Sequence, residues 1–215
     1  MGTGTVIGNH THSYKYRGSA FTLNAGTTTN PGTLRLYSGT YVQPAGNTQL
    51  APVCLAQQGG LVEIYADATL TGNASGYSLG INTTNGTSTA EYTETVNIYG
   101  GTFNRPVYCE AFDVVNAPTA LNISGGIFND GIEIISNTAV TLSGNPVIAG
   151  AGLKLSEGTT VTLGALTTGA TIAVDATGAF TVANVSAPDY LKYFTAVKNG
   201  FAISVEDNVL YCKAV

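Results

Sequence analysis

The stretch that decides the fold is VNIYGGTFN at residues 96–104, which recurs as LNISGGIFN at residues 121–129. The two copies are identical at six of nine positions. In each copy apolar and polar residues alternate, and two glycines then precede a Phe and an Asn. Alternation with a period of two places every second side chain on one side of a strand, while glycine pairs permit a sharp turn. The repeat therefore predicts a strand, a corner and a second strand.

The alternating core of this motif recurs along most of the chain. Its copies begin at Leu34, Val62, Val96, Leu121, Val140, Val161 and Phe180, so the interval between them is longer before Leu121 than after it. A second short alternating run precedes most copies and a third follows most of them, and three short strands in each period are typical of one solenoid coil. Coils that stack ~4.8 Å apart bury the apolar face that one coil cannot bury alone. We predict a parallel β-helix of seven or eight coils over residues 1–186.

Other all-β folds explain the pattern less well. A β-sandwich or barrel would need hairpin turns such as Asn-Gly between matched strands. Such signals are rare: TNGT at Asn85 lies in the longest insertion, and NDG at Asn129 joins two strands of one coil.

Residues 187–215 have a different pattern, which predicts a small cap over the last coil. Pro188 and Asp189 suit the first turn of a short helix, and two strands follow around a turn at Asp207 and Asn208. An open solenoid end exposes unpaired backbone groups, so a helix and a hairpin at this place would cover it.

The composition excludes several classes of function. Only 10% of residues are charged, and 8 basic residues stand against 13 acidic ones without a basic cluster, so we expect no nucleic-acid partner. No run of 18 apolar residues is present, so we expect no direct membrane insertion and see no signal peptide in this stretch. The three cysteines, Cys54, Cys109 and Cys212, fit neither a disulfide framework nor a zinc site, and we expect buried thiols and no cofactor.

The second half of the chain resembles a known group of proteins. LNISGGIFN, TLSGNPVIAG, TVTLGALTTGATIAV and YFTAVKNGFAISVEDNVLYC, from residue 121 onward, are similar to C-terminal β-helix segments of large secreted, adhesin-like surface proteins of anaerobic Gram-positive gut bacteria. The resemblance implies the right-handed parallel β-helix shared with pectate-lyase-like proteins. It also implies an extracellular or cell-surface location and further domains of a larger parent protein. It covers the first half only through the coil pattern, and its motifs specify architecture rather than activity.

Outward positions of the early coils hold the candidate ligand site. If the alternating apolar residues face inward, Tyr37, Tyr65 and Tyr99 occupy the same outward position on three successive coils and form a ladder of rings. Arg35 and Glu63 lie beside them, one coil apart. Flat aromatic surfaces beside polar groups suit a polysaccharide or a host glycan, while the alternative is that the stacked rings only stabilise the coils.

The enzymatic alternative rests on three carboxylates. Glycosidases need two acids ~5–10 Å apart, and Glu110, Asp113 and Glu133 are the candidates for such a group. Glu133, however, faces Lys154 one coil later, which predicts an ordinary ion pair. A polysaccharide lyase would need several acids for calcium and a well-placed base, and the chain has only three arginines and no acid-rich stretch.

Other motifs predict structure rather than chemistry. His10 and His12 could face one side of a strand, but no third ligand is near, so we predict no metal site. Phe103 and Phe128 should stack in the core, and Asn104 and Asn129 should hydrogen-bond along the solenoid. We therefore expect a non-enzymatic extracellular β-helix module, an adhesin or a rigid spacer, with glycan contact through the tyrosines; the alternative is a carbohydrate-active lyase, hydrolase or tailspike-like depolymerase.

Overall fold

Parallel β-strands make up nearly all regular structure of the chain, and almost no helix accompanies them in the described part. The computed structural model describes residues 4–7, 21–24, 32–43, 51, 53–57, 60–82, 94–110, 119–136, 138–156, 159–175, 180–183 and 188–215. The predictions that concern Asp113, His10, His12 and Asn85 lie outside these residues.

The strands form three parallel series, which we name the first, second and third faces of a solenoid. The first face contains the start of β3 (Thr33–Val42), the start of β5 (Gly60–Thr71), β7 (Glu94–Ile98), β10 (Thr119–Ile123), β13 (Thr138–Gly144), β15 (Thr160–Leu166) and β17 (Phe180–Ala183). The second face contains β1 (Thr5–Ile7), the ends of β3 and β5, β8 (Thr102–Phe103), β11 (Ile127–Phe128), the start of β14 (Val147–Leu155), the start of β16 (Thr171–Asp175) and β18 (Phe194–Ala196). The third face contains β2 (Phe21–Asn24), β4 (Val53–Gln57), β6 (Leu79–Asn82), β9 (Val107–Glu110), β12 (Ile132–Ser136) and the ends of β14 and β16.

The register between neighbouring turns follows the sequence repeat. Val96 pairs with Leu121, Phe103 with Phe128, and Val107 with Ile132, so all three faces advance by the same length of chain between these two turns. About four turns lie between residues 94 and 175. The predicted all-β parallel solenoid is confirmed.

The core runs along the inside of the solenoid, where every second side chain of a strand points. On the first face the fully buried positions include Leu36, Ile64, Ile98, Ile123, Leu142 and Leu163, each at most 5% exposed. Burying one such side chain contributes about 1.5–3 kcal/mol relative to leaving it in water. Because each turn offers only a few of these residues, stacking on the neighbouring turns supplies most of the burial.

The two glycines of the repeat have different tasks at the corner after the first face. A Cβ on Gly125 would lie 2.5 Å from the carbonyl oxygen of Tyr99, so the close approach of the two turns requires its absence. Gly126 has a φ of +101° and Gly101 a φ of +96°, a backbone region that side chains disfavour. Thus the first glycine permits close stacking and the second turns the chain.

The C-terminal residues continue the sheet with a change of direction. The helix predicted at Pro188 is a short 3-10 helix, Pro188–Tyr193. The two predicted strands are present as β19 (Phe201–Glu206) and β20 (Val209–Ala214), and the turn between them has φ of 49° at Asp207 and 62° at Asn208. Positive φ at both central residues is what a two-residue hairpin with type I′ geometry requires. β20 also pairs antiparallel with β17, which places Leu210 in the core.

Candidate ligand-binding site

The three tyrosines of the early turns form the ladder that the sequence predicts. Tyr37 and Tyr65 stack with ring centroids 4.6 Å apart and planes 23° apart. Tyr65 and Tyr99 are tilted by 36°, with centroids 5.1 Å apart. The ladder forms because the strands pair in register beneath it, Leu36 with Ile64 and Ile64 with Ile98.

Stacking changes which aromatic surface a ligand can reach. The faces of Tyr65 are covered by the rings on either side, so it cannot offer the flat platform that the sequence suggested. The two end rings remain accessible, with Tyr37 44% and Tyr99 47% exposed. A sugar that packs its C–H face on this ladder therefore has to approach an end ring.

A partly buried ion pair supports the ladder from one side. Arg35 Nε donates to Glu63 Oε2 across 2.5 Å, and the Tyr99 hydroxyl donates to Glu63 Oε1 across 3.3 Å. Glu63 is only 9% exposed, and a buried carboxylate is tolerated when hydrogen bonds and an opposite charge compensate its lost hydration. The predicted pair of Arg35 and Glu63 is thus present, and it positions the Tyr99 ring rather than offering a free charge.

The surroundings of Tyr65 and Tyr99 disfavour ionised phenols. Partial burial, and then the negative charge of Glu63, raise the pKa of Tyr65. The same two causes raise the pKa of Tyr99. The hydrogen bond to Glu63 raises the pKa of the Arg35 guanidinium. At neutral pH Tyr65 and Tyr99 therefore present neutral hydroxyl groups above a compensated ion pair.

Beyond Tyr99 the ladder ends on a polar shelf. The next turn carries Ser124 at the equivalent position, and the Ser124 amide bonds the Ile98 carbonyl across 2.8 Å. Beside it the Asn122 side-chain amide donates to Asn97 Oδ1 across 3.0 Å. The outer face of the Tyr99 ring thus stands over small hydroxyl and amide side chains, and we name this arrangement the Tyr99 step. The change from Tyr to Ser in the repeat is the sequence signal that locates it.

Of the three acids in the enzymatic alternative, Glu133 is the one whose side chain lies in the described part of the structure. Glu133 receives a 2.6 Å hydrogen bond from Lys154 Nζ, as the sequence predicts. Its register partner on the preceding turn is Tyr108, whereas Glu110 at the end of β9 pairs with Ser136. Asp113 lies outside the described residues.

The amide stack that the repeat predicts is present at the corner after the second face. Asn129 Nδ2 donates to Asn104 Oδ1 across 2.9 Å, and Asn104 Nδ2 donates to Thr71 Oγ1 across 3.0 Å. These amides bond one another along the solenoid, so they act as structural links between turns.

Metal ligands and thiols give no further site among the described residues. No group of three or more His, Cys, Asp or Glu side chains is placed there to hold a metal ion. Cys109 and Cys212 are buried, as predicted, and Cys109 Sγ lies 3.2 Å from Thr138 Oγ1. These thiols fill the core.

The third face has a feature that sequence reasoning missed. A groove of about 170 Å³ opens beside Glu133, Lys154 and Asp175, and the stacked rings of Tyr77 and Tyr108, with centroids 4.4 Å apart, lie near it on the same face. The tyrosines of this pair occur in unlike sequence contexts, and the groove depends on a difference in corner length between turns. Neither property follows from the repeat itself.

The chain matches no protein-family model, no curated protein and no solved structure. Among the described residues no helix has the length and apolar character of a membrane span.

Proposed function

We propose that this chain is a non-enzymatic, extracellular β-helix module of a bacterial surface protein, which acts as a rigid arm and binds a glycan at the Tyr99 step. The observation that carries the proposal is the end ring of the ladder, 47% exposed above the amide and hydroxyl side chains of the next turn. An apolar ring face accepts the C–H face of a sugar, and the neighbouring polar groups bond its hydroxyls.

The same proposal includes the finer architecture. We infer a right-handed β-helix of seven or eight coils over residues 1–186 and a cap over residues 187–215. The antiparallel pairing of β20 with β17 supports the cap, because a strand of opposite direction interrupts the parallel first face. The parallel pairing of strands from turn to turn supports a rigid arm. We propose with it an exposed position at a cell surface and a link to further domains.

The electrostatics favour a neutral glycan over an acidic one. Arg35 is the described cation nearest the ladder, and its charge is compensated by Glu63 at 2.5 Å. Among the described residues, an acidic sugar would find no uncompensated positive partner beside the rings, whereas hydroxyl groups can bond both amides and the phenols.

A glycan-array screen of the soluble chain, with reducing-end release measured on the same polysaccharides, tests the proposal. We expect saturable binding without release. Tyr99→Ala should abolish binding, whereas Tyr37→Ala should retain it, because among the described residues the amide pair of Asn97 and Asn122 lies on the Tyr99 side of the ladder. Binding that survives Tyr99→Ala would reject the step as the site.

The measurement of reducing-end release distinguishes the enzymatic alternative from binding without cleavage. Among its candidate acids, Glu133 is held in an ion pair with Lys154 Nζ at 2.6 Å, so this carboxylate already has a structural partner. New reducing ends that disappear in Glu133→Gln would overturn the non-enzymatic function.

A further inference from the structure

The groove on the third face is separate from the Tyr99 step. It lies at the corner between the second and third faces and has a volume of about 170 Å³. That volume is below the ~300–1,000 Å³ of pockets for drug-sized ligands, so the groove suits one small ring rather than a large molecule.

A difference in corner length creates the groove. β14 places four residues between Ile148 and Leu153, whereas β16 places only Ala173 between Ile172 and Val174. Ala151 and Gly152 of the longer corner line the groove together with Asp175 of the next turn.

Two glycines keep the turns close together beside this groove, and one of them, Gly152, lines it. A Cβ on Gly131 would lie 2.3 Å from the Gly152 carbonyl oxygen, and a Cβ on Gly152 would lie 2.9 Å from the Ala173 carbonyl oxygen. The turns therefore stack backbone on backbone at this point.

The polar wall of the groove alternates in charge. Glu133, Lys154 and Asp175 occupy the same strand position on three successive turns. Lys154 Nζ donates to Glu133 Oε1 across 2.6 Å, and this hydrogen bond, followed by the charges of Glu133 and Asp175, raises the pKa of Lys154. The wall thus offers an acceptor, a donor and an acceptor at the spacing of the turns.

The rest of the lining is apolar or charge-balanced. Pro106 and Ala151 supply hydrocarbon surface, and the backbone beside the buried Ile132 completes this side. Asp130, at the far side, lies 3.5 Å from the guanidinium of Arg105. The groove therefore combines an apolar surface with a row of alternating hydrogen-bonding groups.

From this combination we propose that the third-face groove binds one ring of a neutral, hydroxyl-rich sugar. Vicinal hydroxyls both donate and accept, so they match the alternation of Glu133, Lys154 and Asp175, while the ring C–H groups pack on Pro106 and Ala151. An anionic ligand would meet Asp130, Glu133 and Asp175, and a cationic one would compete with Lys154 for the same acids. A neutral ligand avoids both the repulsion by these acids and the competition with Lys154.

Titration of the ¹⁵N-labelled chain with methyl glucoside, methyl galactoside and methyl mannoside, followed by amide chemical shifts, tests this site. We expect at least one glycoside to shift the amides of Ala151, Gly152 and Ala173, saturating at millimolar concentration, which is ordinary for one small ring. Glucuronate should bind more weakly. The absence of shifts at these amides with all three glycosides, or tighter binding of glucuronate, would overturn the proposal.

Variants locate the binding and separate it from the Tyr99 step. Ala151→Phe fills the groove and should weaken binding more than tenfold, whereas Ala165→Phe, the same change at another exposed strand position, should leave it intact. Lys154→Met removes the central donor and should weaken binding several-fold, which keeps the test informative if Ala151→Phe misfolds. Tyr99→Ala should leave the groove shifts unchanged. Equal affinity in Ala151→Phe and Ala165→Phe would reject the site without bearing on the tyrosine ladder.

Discussion

Phe103 and Phe128 stack in the core with ring centroids 4.6 Å apart and planes only 2° apart, and both side chains are fully buried. They occupy the same place in the two copies of the repeat and pair directly across β8 and β11. The sequence identity at this position is therefore used for packing, because identical rings fit face to face at the spacing of the strands.

Replacing one ring of this stack should strongly destabilise the solenoid. Phe128→Ala removes a fully buried ring beside a second one, and we expect a loss of about 3–5 kcal/mol in the free energy of unfolding. Phe128→Leu keeps most of the volume and should cost clearly less. Urea unfolding followed by circular dichroism measures both, and equal losses would contradict buried volume as the main source of the stability that Phe128 contributes.

Glycine substitution should distinguish close packing from backbone strain. Gly131 has a φ of +86° and no room for a Cβ, while Gly169 has a φ of +98° and no heavy atom within 4 Å of the added Cβ. Gly169→Ala should cost about 1–2 kcal/mol from conformation alone. Gly131→Ala should cost a further 1–3 kcal/mol, roughly, from the clash with the next turn. Thermal unfolding of the two variants tests this order, which similar melting temperatures would refute.

Removal of Arg35 or of Glu63 from the ion pair beneath the ladder should lower the free energy of unfolding by different amounts. Arg35→Met leaves the buried Glu63 with the Tyr99 hydroxyl as its described polar partner, whereas Glu63→Gln removes the buried charge and leaves Arg35 in water. We expect Arg35→Met to be the more destabilising change, since an uncompensated buried charge is costly. The double variant should recover part of the loss. Chemical unfolding of the three variants measures these losses. A larger loss in Glu63→Gln than in Arg35→Met would contradict the cost assigned to the buried, uncompensated carboxylate.

High pH should weaken the tyrosine ladder. The pKa values of Tyr65 and Tyr99 are raised in the folded chain by burial and then by Glu63. A phenol whose folded pKa exceeds its unfolded pKa, about 10, contributes its stability below that pH and loses it as the pH rises through the folded pKa. The wild-type chain should therefore lose more stability above pH ~10 than a Tyr65→Phe/Tyr99→Phe chain.

Unfolding curves at neutral and alkaline pH, together with tyrosinate absorbance, measure this difference. The comparison concerns the change with pH, because Tyr99→Phe also loses the hydrogen bond to Glu63 at neutral pH. Parallel pH dependence in the two chains would show that the ladder does not couple ionisation to stability.

The repeat allowed the solenoid and its stacked side chains to be predicted. Regular spacing determined which residues meet, so the tyrosine ladder, the Phe103 and Phe128 stack and the Glu133 and Lys154 pair all followed from position alone. The accessibility of the rings did not follow, because stacking covers the faces of the middle tyrosine. The third-face groove was missed as well, since it arises where two neighbouring turns have corners of unequal length.

All three faces keep the same register across the two copies of the repeat. One turn of the solenoid can therefore be duplicated or deleted as a unit during evolution. An in-frame gain or loss of one such turn would join the chain to itself at equivalent points. Each stack of buried side chains along the solenoid would then gain or lose one residue, and the register between neighbouring turns would be kept. The solenoid can thus be lengthened or shortened by recombination while the turns on either side keep their own structure.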